Sequence, residues 1–343
     1  MARVAPGRGS TKATDRVATS SVDRLPSGEE PSPIDGRSPF RLALARFRRD
    51  KVAMASVGFI LLLTLFALSA PLIALATGHP PNDQSHLYEM TTASGLPKGP
   101  SFHDKFFFGA DQFGRDVLVR VAYGARISLV VGIAATGFAL LVGVTVGLLA
   151  GYYGGMVDMA LSRLVDVLLS IPLLLLALAL VAVFRPSLQV IIAVIALVSW
   201  TYIARIIRGQ VLSLRELDFV EAQRSLGASN LRIIFRDILP NLAAPITVYA
   251  TLIIPTNIVL EASLSFLGLG MQPPTATWGQ MLADATEFYR VAWWMLLFPG
   301  AALLATTLAF NLAGDGLLDV VDPRSGLLDT RRRAASRSPQ EKT

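Results

Sequence analysis

The sequence contains no cysteine, and charged residues are scarce. The absence of cysteine excludes disulfide bonds and thiolate metal sites, and it leaves the redox compartment open. Charged residues make up 16% of the 343 residues and apolar residues 52%, whereas about a quarter of a soluble domain is charged. This balance predicts that most of the chain lies in a lipid bilayer.

Groups that an enzyme would need are also missing. No lysine follows a glycine, so the phosphate-binding loop of an ATPase, which requires Gly-Lys, cannot form in this chain. We therefore expect no cofactor here, and an active transporter would have to bind ATP and magnesium on other polypeptides. The three histidines, His79, His86 and His103, lie outside every long apolar run, which argues against an enzyme acting within the membrane.

Six apolar segments are long enough to cross about 30 Å of hydrocarbon as helices. The sequence therefore predicts an all-α integral membrane protein with six transmembrane helices. They are approximately Val52–Ala76, Ser128–Gly151, Val167–Phe184, Leu188–Ile207, Ala243–Leu267 and Val291–Ala313. Arg163 and Asp166, at the start of the third span, are three residues apart and are expected to pair along one helix face.

Lysine and arginine concentrate on one side of these spans, which sets the orientation. Basic residues cluster before the first span, between the fourth and fifth, and after the sixth. Both termini are therefore predicted to be cytoplasmic. The first outer loop, roughly residues 77–127, also carries basic residues, but long loops cross the membrane largely regardless of charge.

We divide the chain into four parts on this basis. Residues 1–40 are rich in Ser, Pro, Gly and Arg and are predicted to be a disordered cytoplasmic tail that lacks the apolar region of a cleaved signal peptide. Residues 41–127 hold a basic segment, the first transmembrane helix and the long extracytoplasmic loop. Residues 128–313 form the transmembrane core, with a cytoplasmic loop at 216–241. Residues 314–343 form a cytoplasmic C-terminal tail.

Small residues recur on one face of the second span. Gly143, Gly147 and Gly151 are spaced four residues apart, so they lie on the same side of a helix. Such a stripe lets another helix approach closely. Ordinary enrichment of glycine in membrane helices is the alternative.

The stretch between the fourth and fifth spans is charged and regular. Residues 221–226 suit a short helix, and Gly227 suits its C-terminal stop. Ser229 or Asn230 can cap a second piece, whose apolar stripe is Leu231, Ile234, Phe235 and Ile238.

A DNA-binding helix-turn-helix has the same outline as this stretch, but it would be held against anionic headgroups here. A plain amphipathic surface helix is a second alternative. We favour a docking element, because a short helix held by two spans can lie in a groove of a cytoplasmic partner.

The same stretch, EAQRSLGASNLRIIFRDILP, resembles the EAA loop of permeases of ATP-binding cassette (ABC) importers, with Gln223 as a small departure. Three further motifs, at 108–129, 264–282 and 298–324, resemble the C-type permease of the dipeptide/oligopeptide/nickel subfamily. Leu318 stands where that subfamily often has arginine. The resemblance covers nearly the whole chain after residue 40 and implies the ABC type I importer permease fold in a bacterial plasma membrane.

The resemblance also implies a function and partners. It implies ATP-driven import of dipeptides or oligopeptides, together with a B-type permease, two cytoplasmic ATPase subunits and an extracytoplasmic substrate-binding protein. It assigns ATPase coupling to Glu221, Ala222, Gly227, Ala228, Leu239 and Pro240.

Polar residues within spans are costly, so the few present are candidates for a substrate path. Asn257 and Glu261 are one turn apart in the fifth span, and Asn311 lies near the inner end of the sixth. They are candidates for the pathway or its mouth. Contact with water or with a neighbouring helix is the alternative.

Two other functions stay open at this level. The three histidines, together with Asp83, Glu89 and Asp104, could ligate a metal, which would suit a nickel or other small-solute permease of the same subfamily. A passive channel or receptor is the alternative from a different class, although it would have no use for a docking element.

Overall fold

The computed structural model describes residues 47–321, and within that range the chain is helical, without β-strands. The helices are α1 Lys51–Leu68, α2 Ala70–Thr77, α3 Val117–Tyr153, α4 Gly155–Leu169, α5 Leu173–Val183, α6 Leu188–Leu214, α7 Asp218–Ser225, α8 Asn230–Phe266, α9 Trp278–Ala285 and α10 Trp293–Val321. The predicted disordered tail at 1–40 and residues 322–343 of the predicted C-terminal tail lie outside the described residues, while residues 314–321 of that tail continue α10.

Five of the described helices are long and apolar enough to cross a membrane, and a bent helix pair makes a sixth candidate. This confirms the predicted all-helical membrane fold. The third span differs from the prediction, because the segment Val167–Phe184 is not one straight helix. α4 and α5 meet at an angle of 86° around Ser170–Pro172. Proline disfavours the helical conformation of the residue before it, which explains the break.

The second span is longer than its apolar run. α3 begins at Val117 rather than Ser128, because the Asp116 side chain accepts hydrogen bonds from the amides of Leu118 and Val119 and caps the helix. The outer loop is correspondingly shorter and ends at residue 116. At about 1.5 Å per residue, α3 is roughly 55 Å long and extends well beyond the bilayer.

The glycine stripe packs α3 against α6, as predicted. A Cβ atom on Gly143 would lie 2.7 Å from the Trp200 carbonyl oxygen, and one on Gly147 would lie 2.8 Å from that of Ala204. Gly151 meets Val211 in the same way. The backbones of α3 and α6 are therefore in close contact along their inner halves.

Hydrogen bonds fix the outer loop to α10 and join α9 to α3. The Trp294 indole of α10 donates to the Ala110 carbonyl at 2.9 Å, and the Trp278 indole of α9 donates to the Val121 carbonyl at 3.0 Å. Arg115 forms a buried ion pair with Asp111 at 2.7 Å. The Trp278 bond joins the motif at 108–129 to the motif at 264–282 at one end of the bundle.

Candidate functional site

The predicted docking element is helical and lies directly below the membrane-spanning bundle. α7 begins only three residues after α6 ends, so the two helices share one short connection. Val220 is completely buried among apolar residues of α3, α6 and α8, and it anchors α7 to the inner end of the bundle. Glu221 and Ala222 follow it and are exposed. α7 therefore presents the Glu221 carboxylate away from the bundle.

Gly227 ends α7, as predicted. Its φ is +77°, in the left-handed region. The Gly227 amide donates to the Arg224 carbonyl at 2.9 Å, and the Ala228 amide donates to the Gln223 carbonyl at 3.0 Å. These two bonds form a Schellman motif, which turns the chain sharply after the helix.

A hydrogen bond ties this turn to α3. The Tyr152 hydroxyl donates to the Asn230 side-chain oxygen at 2.9 Å, and the Arg224 guanidinium lies 5.4 Å from the Tyr152 ring centre. Sequence reasoning missed Tyr152. Its position at the inner end of an apolar span was the available signal, because tyrosine is enriched at membrane interfaces.

The second piece differs from the predicted single apolar stripe. Its turn Ile233–Ile238 is π-helical and continues without interruption into the membrane-spanning part of α8. Ile234 and Ile238 are buried in the bundle, whereas Leu231 and Phe235 are 62% and 60% exposed. The π turn bonds residues five apart instead of four, so it rotates the following residues relative to an α-helical wheel.

The result is an exposed surface, on the side predicted to be cytoplasmic, that carries apolar side chains and the Glu221 carboxylate, with Arg224, Arg232 and Arg236 exposed in the same stretch. We call it the coupling face. It consists of exposed Phe219, Glu221, Ala222, Leu226, Leu231 and Phe235. Exposed apolar residues grouped in this way mark interaction surfaces. Of the other predicted coupling residues, Gly227 and Pro240 are exposed, while Ala228 and Leu239 are half-buried.

The predicted pathway residues of α8 are buried between helices. Asn257 is inaccessible to solvent, accepts from the Ser199 hydroxyl of α6 at 2.6 Å and donates to the Thr136 hydroxyl of α3 at 2.9 Å. Glu261 is equally buried and accepts from Ser128 of α3 at 3.0 Å. Both side chains thus join α8 to its neighbours, which is the alternative that the sequence left open.

The two asparagines differ sharply in their surroundings. Asn311 is exposed on α10, whereas Asn257 is enclosed. Replacing Asn257 with leucine should lower the free energy of unfolding by about 1–3 kcal/mol, because the Ser199 hydroxyl loses its acceptor in a buried site. Thermal unfolding of the purified protein would measure this, with Asn311→Leu as the matched control. Equal melting temperatures for the two variants would refute the interhelical role of Asn257.

Each histidine of the outer loop contacts a carboxylate. His79 is buried and pairs with Asp116 at 2.9 Å, while His86 contacts Glu89 and His103 contacts Asp104. Burial raises the pKa of the Asp116 carboxyl, and the hydrogen bonds from His79 and from the first turn of α3 oppose that shift. Within residues 47–321, no three histidine or acidic side chains are grouped to hold a metal ion.

The chain matches two protein families. Residues 143–326 match the binding-protein-dependent transport system inner membrane component family. Residues 38–93 match the N-terminal TM domain of oligopeptide transport permease C.

Characterised relatives are similar over most of their length. The dipeptide transport system permease protein DppC of Alkalihalophilus pseudofirmus is 43% identical over 302 residues, which cover 87% of this chain and 95% of the relative. The oligopeptide transport system permease protein OppC of Escherichia coli K12 is 39% identical, with 88% and 97% covered. The di/tripeptide transport system permease protein DppC of Pseudomonas aeruginosa is 40% identical, with 84% and 93% covered.

A solved structure is also similar. An inward-facing conformation of the MetNI methionine ABC transporter has a TM-score of 0.49 at 20% identity, and the alignment covers 59% of this chain and 97% of that chain.

Proposed function

The chain belongs to the binding-protein-dependent transport system inner membrane component family, and we propose that it is the C-type permease subunit of an ATP-driven importer of dipeptides and oligopeptides. It is a multi-pass inner-membrane protein and a transport subunit that works with other ABC subunits. Substrate class follows the relatives, which are permeases for dipeptides, di/tripeptides and oligopeptides.

The division of labour among subunits is part of this proposal. The chain has no Gly-Lys pair and hence no phosphate-binding loop of its own, so two cytoplasmic ATPase subunits bind ATP and magnesium. A B-type permease completes the substrate path, and an extracytoplasmic binding protein delivers the peptide. Both termini of this chain face the cytoplasm.

The coupling face carries the proposal. Its exposed apolar side chains and the Glu221 carboxylate lie on α7, on the turn after it and on the first turns of α8. Val220 attaches α7 to the bundle, and Tyr152 attaches Asn230 at the start of α8 to α3. An ATPase that holds this face can move α7, and the short connection passes the movement to α6. A channel or a receptor would not need such a mechanical link. The nickel alternative receives no support from the three histidines, which are engaged with three different carboxylates.

Replacing Glu221 with lysine should reduce co-purification of the ATPase subunits about tenfold or more, a loss of about 1.4 kcal/mol or more in binding free energy. The substitution replaces a carboxylate on the coupling face with a charge of opposite sign. Quantitative pull-down of the assembled transporter from membranes measures the effect.

Glu216→Lys is the matched control, because Glu216 is 71% exposed in the same cytoplasmic stretch but lies outside the coupling face. The control should retain both ATPases. Full assembly of the Glu221→Lys complex would remove the coupling role of this carboxylate.

A further inference from the structure

Two helices beside α6 are held to it in different ways. α3 packs against α6 through the glycine stripe, with backbone close to backbone. In α4, by contrast, Val165 is the one buried residue of Gly155–Leu169. An open cavity of about 360 Å³ lies between α3, α4 and α6. α3 and α6 thus form a close-packed unit, whereas α4 packs on it less closely, through Val165, Leu168 and Leu169.

Two ion pairs also attach α4 to α6. Asp158 binds Arg208 with both carboxylate oxygens, accepting from Nε and, at 2.7 Å, from Nη2. Asp166 accepts from Arg205 at 2.7 Å. The Asp158–Arg208 pair is the better shielded, with side-chain exposures of 19% and 35% against 50% and 58% for the other pair. Bidentate arginine–carboxylate pairs are also stronger and more directional than pairs with a single hydrogen bond.

The position of these ion pairs along α6 matters for movement. Arg208 lies about 30 Å along the helix from Leu188, close to the connection with α7. A tilt of α6 by only about 10° about its outer end would therefore move Arg208 by about 5 Å. α5 packs against the outer half of α6, where Ala177 and Val181 contact the cluster around Ile195. That half lies near the pivot and would move little.

We propose that Asp158–Arg208 and Asp166–Arg205 form a coupling clamp, which makes α4 follow the inner end of α6 and changes the bend at Ser170–Pro172. Asp158 and Arg208 are thus positioning residues for transport. This inference rests on the proposed function, because it takes an ATPase acting on α7 as the source of the movement. Ion pairs suit the task, since a close-packed contact tends to switch between discrete arrangements and does not deform continuously.

Charge exchange tests the clamp in the complete transporter, reconstituted in vesicles with its companion permease, ATPases and binding protein. Peptide uptake and ATP hydrolysis are measured in the same vesicles. Asp158→Arg and Arg208→Asp should each lower the peptide transported per ATP about tenfold, whereas the double exchange should recover most of that ratio. A merely structural pair would lower uptake and hydrolysis together and leave their ratio unchanged.

Arg163→Asp is the matched control. Arg163 is exposed on the same helix and forms no ion pair within residues 47–321, so the predicted pair with Asp166 is wrong and Asp166 bonds Arg205 instead. The control should leave the ratio unchanged. A normal ratio in both single variants, or a double exchange that assembles but recovers nothing, would overturn the clamp. Failure of the proposed function would appear differently, as an absence of ATP-dependent uptake in the unmodified complex.

A distance measurement covers the case in which a charge variant assembles poorly. The chain has no cysteine, so cysteines placed at Met159 and Leu175, both exposed, report specifically across the bend. The distance between spin labels at these sites should change between the nucleotide-free and ATP-bound complexes, and Asp166→Asn should diminish that change. A distance that stays constant in the unmodified complex would also overturn the clamp.

Discussion

A valine in place of Gly147 should prevent α3 and α6 from packing and should largely abolish the assembled permease. A Cβ atom at this position would lie 2.8 Å from both the Ala204 carbonyl oxygen and the Ile207 Cβ atom. Both atoms are attached closely to the α6 backbone, so relief requires the two helices to separate. Overpacking of this kind costs about 1–3 kcal/mol and occasionally more. The cost falls on the close backbone contact between α3 and α6.

Gly137→Val is a close control for this substitution. Gly137 lies in the same helix and is exposed, and a Cβ atom there would meet nothing within 4 Å. Both variants carry the same small gain in helix propensity, so the difference between them isolates the packing term. Thermal unfolding and the yield of monodisperse complex in detergent would measure it. We expect the control to stay within about 0.5 kcal/mol of the unmodified protein, and equal melting temperatures would contradict the close contact.

The number and kind of spanning segments were predictable because hydrocarbon demands long apolar runs. The ends of these segments were harder to predict. Arg120 and Arg126 made the start of α3 look like loop, yet Arg120 is buried where the folded outer loop meets the bundle, with its guanidinium 3.5 Å from Asp111. The contact with Asp111 that compensates for burying the Arg120 charge depends on the tertiary fold, so local hydropathy cannot reveal it. The helix break after Leu169 was also not predicted, because Pro172 lies inside an apolar run.

In the candidate site, too, local features were predictable from the sequence and long-range contacts were not. Gly227 was identified because the left-handed turn at a helix end is a local property of the chain. The attachments of α7 and α4 were not identified, because they join residues far apart in sequence. Tyr152 and Asn230 are separated by 78 positions, and Asp158 and Arg208 by 50. The π turn at Ile233–Ile238 was also not predicted, since its sequence suits an ordinary α-helix.

Replacing Gly227 with valine should abolish peptide uptake while leaving the permease in the membrane. At a φ of +77°, a residue with a side chain is strained by about 1–2 kcal/mol, and a β-branched one is especially unfavourable. No neighbouring atom lies within 4 Å of a Cβ built at this position, so the strain arises from the backbone and not from a clash. Relief would open the Schellman turn and reorient the coupling face relative to α3 and α6.

Asparagine at the same position separates the backbone effect from simple loss of glycine. Asn tolerates the left-handed region better than other residues with side chains, so Gly227→Asn should retain most of the uptake that Gly227→Val loses. We expect at least a tenfold difference in ATP-dependent uptake between them, about 1.4 kcal/mol in the coupling free energy. Membrane levels should be equal, because the site is exposed and touches no part of the core. Equal uptake by the two variants would mean that the turn does not transmit movement, which would leave Val220 and the short connection to α6 as the links between α7 and the bundle.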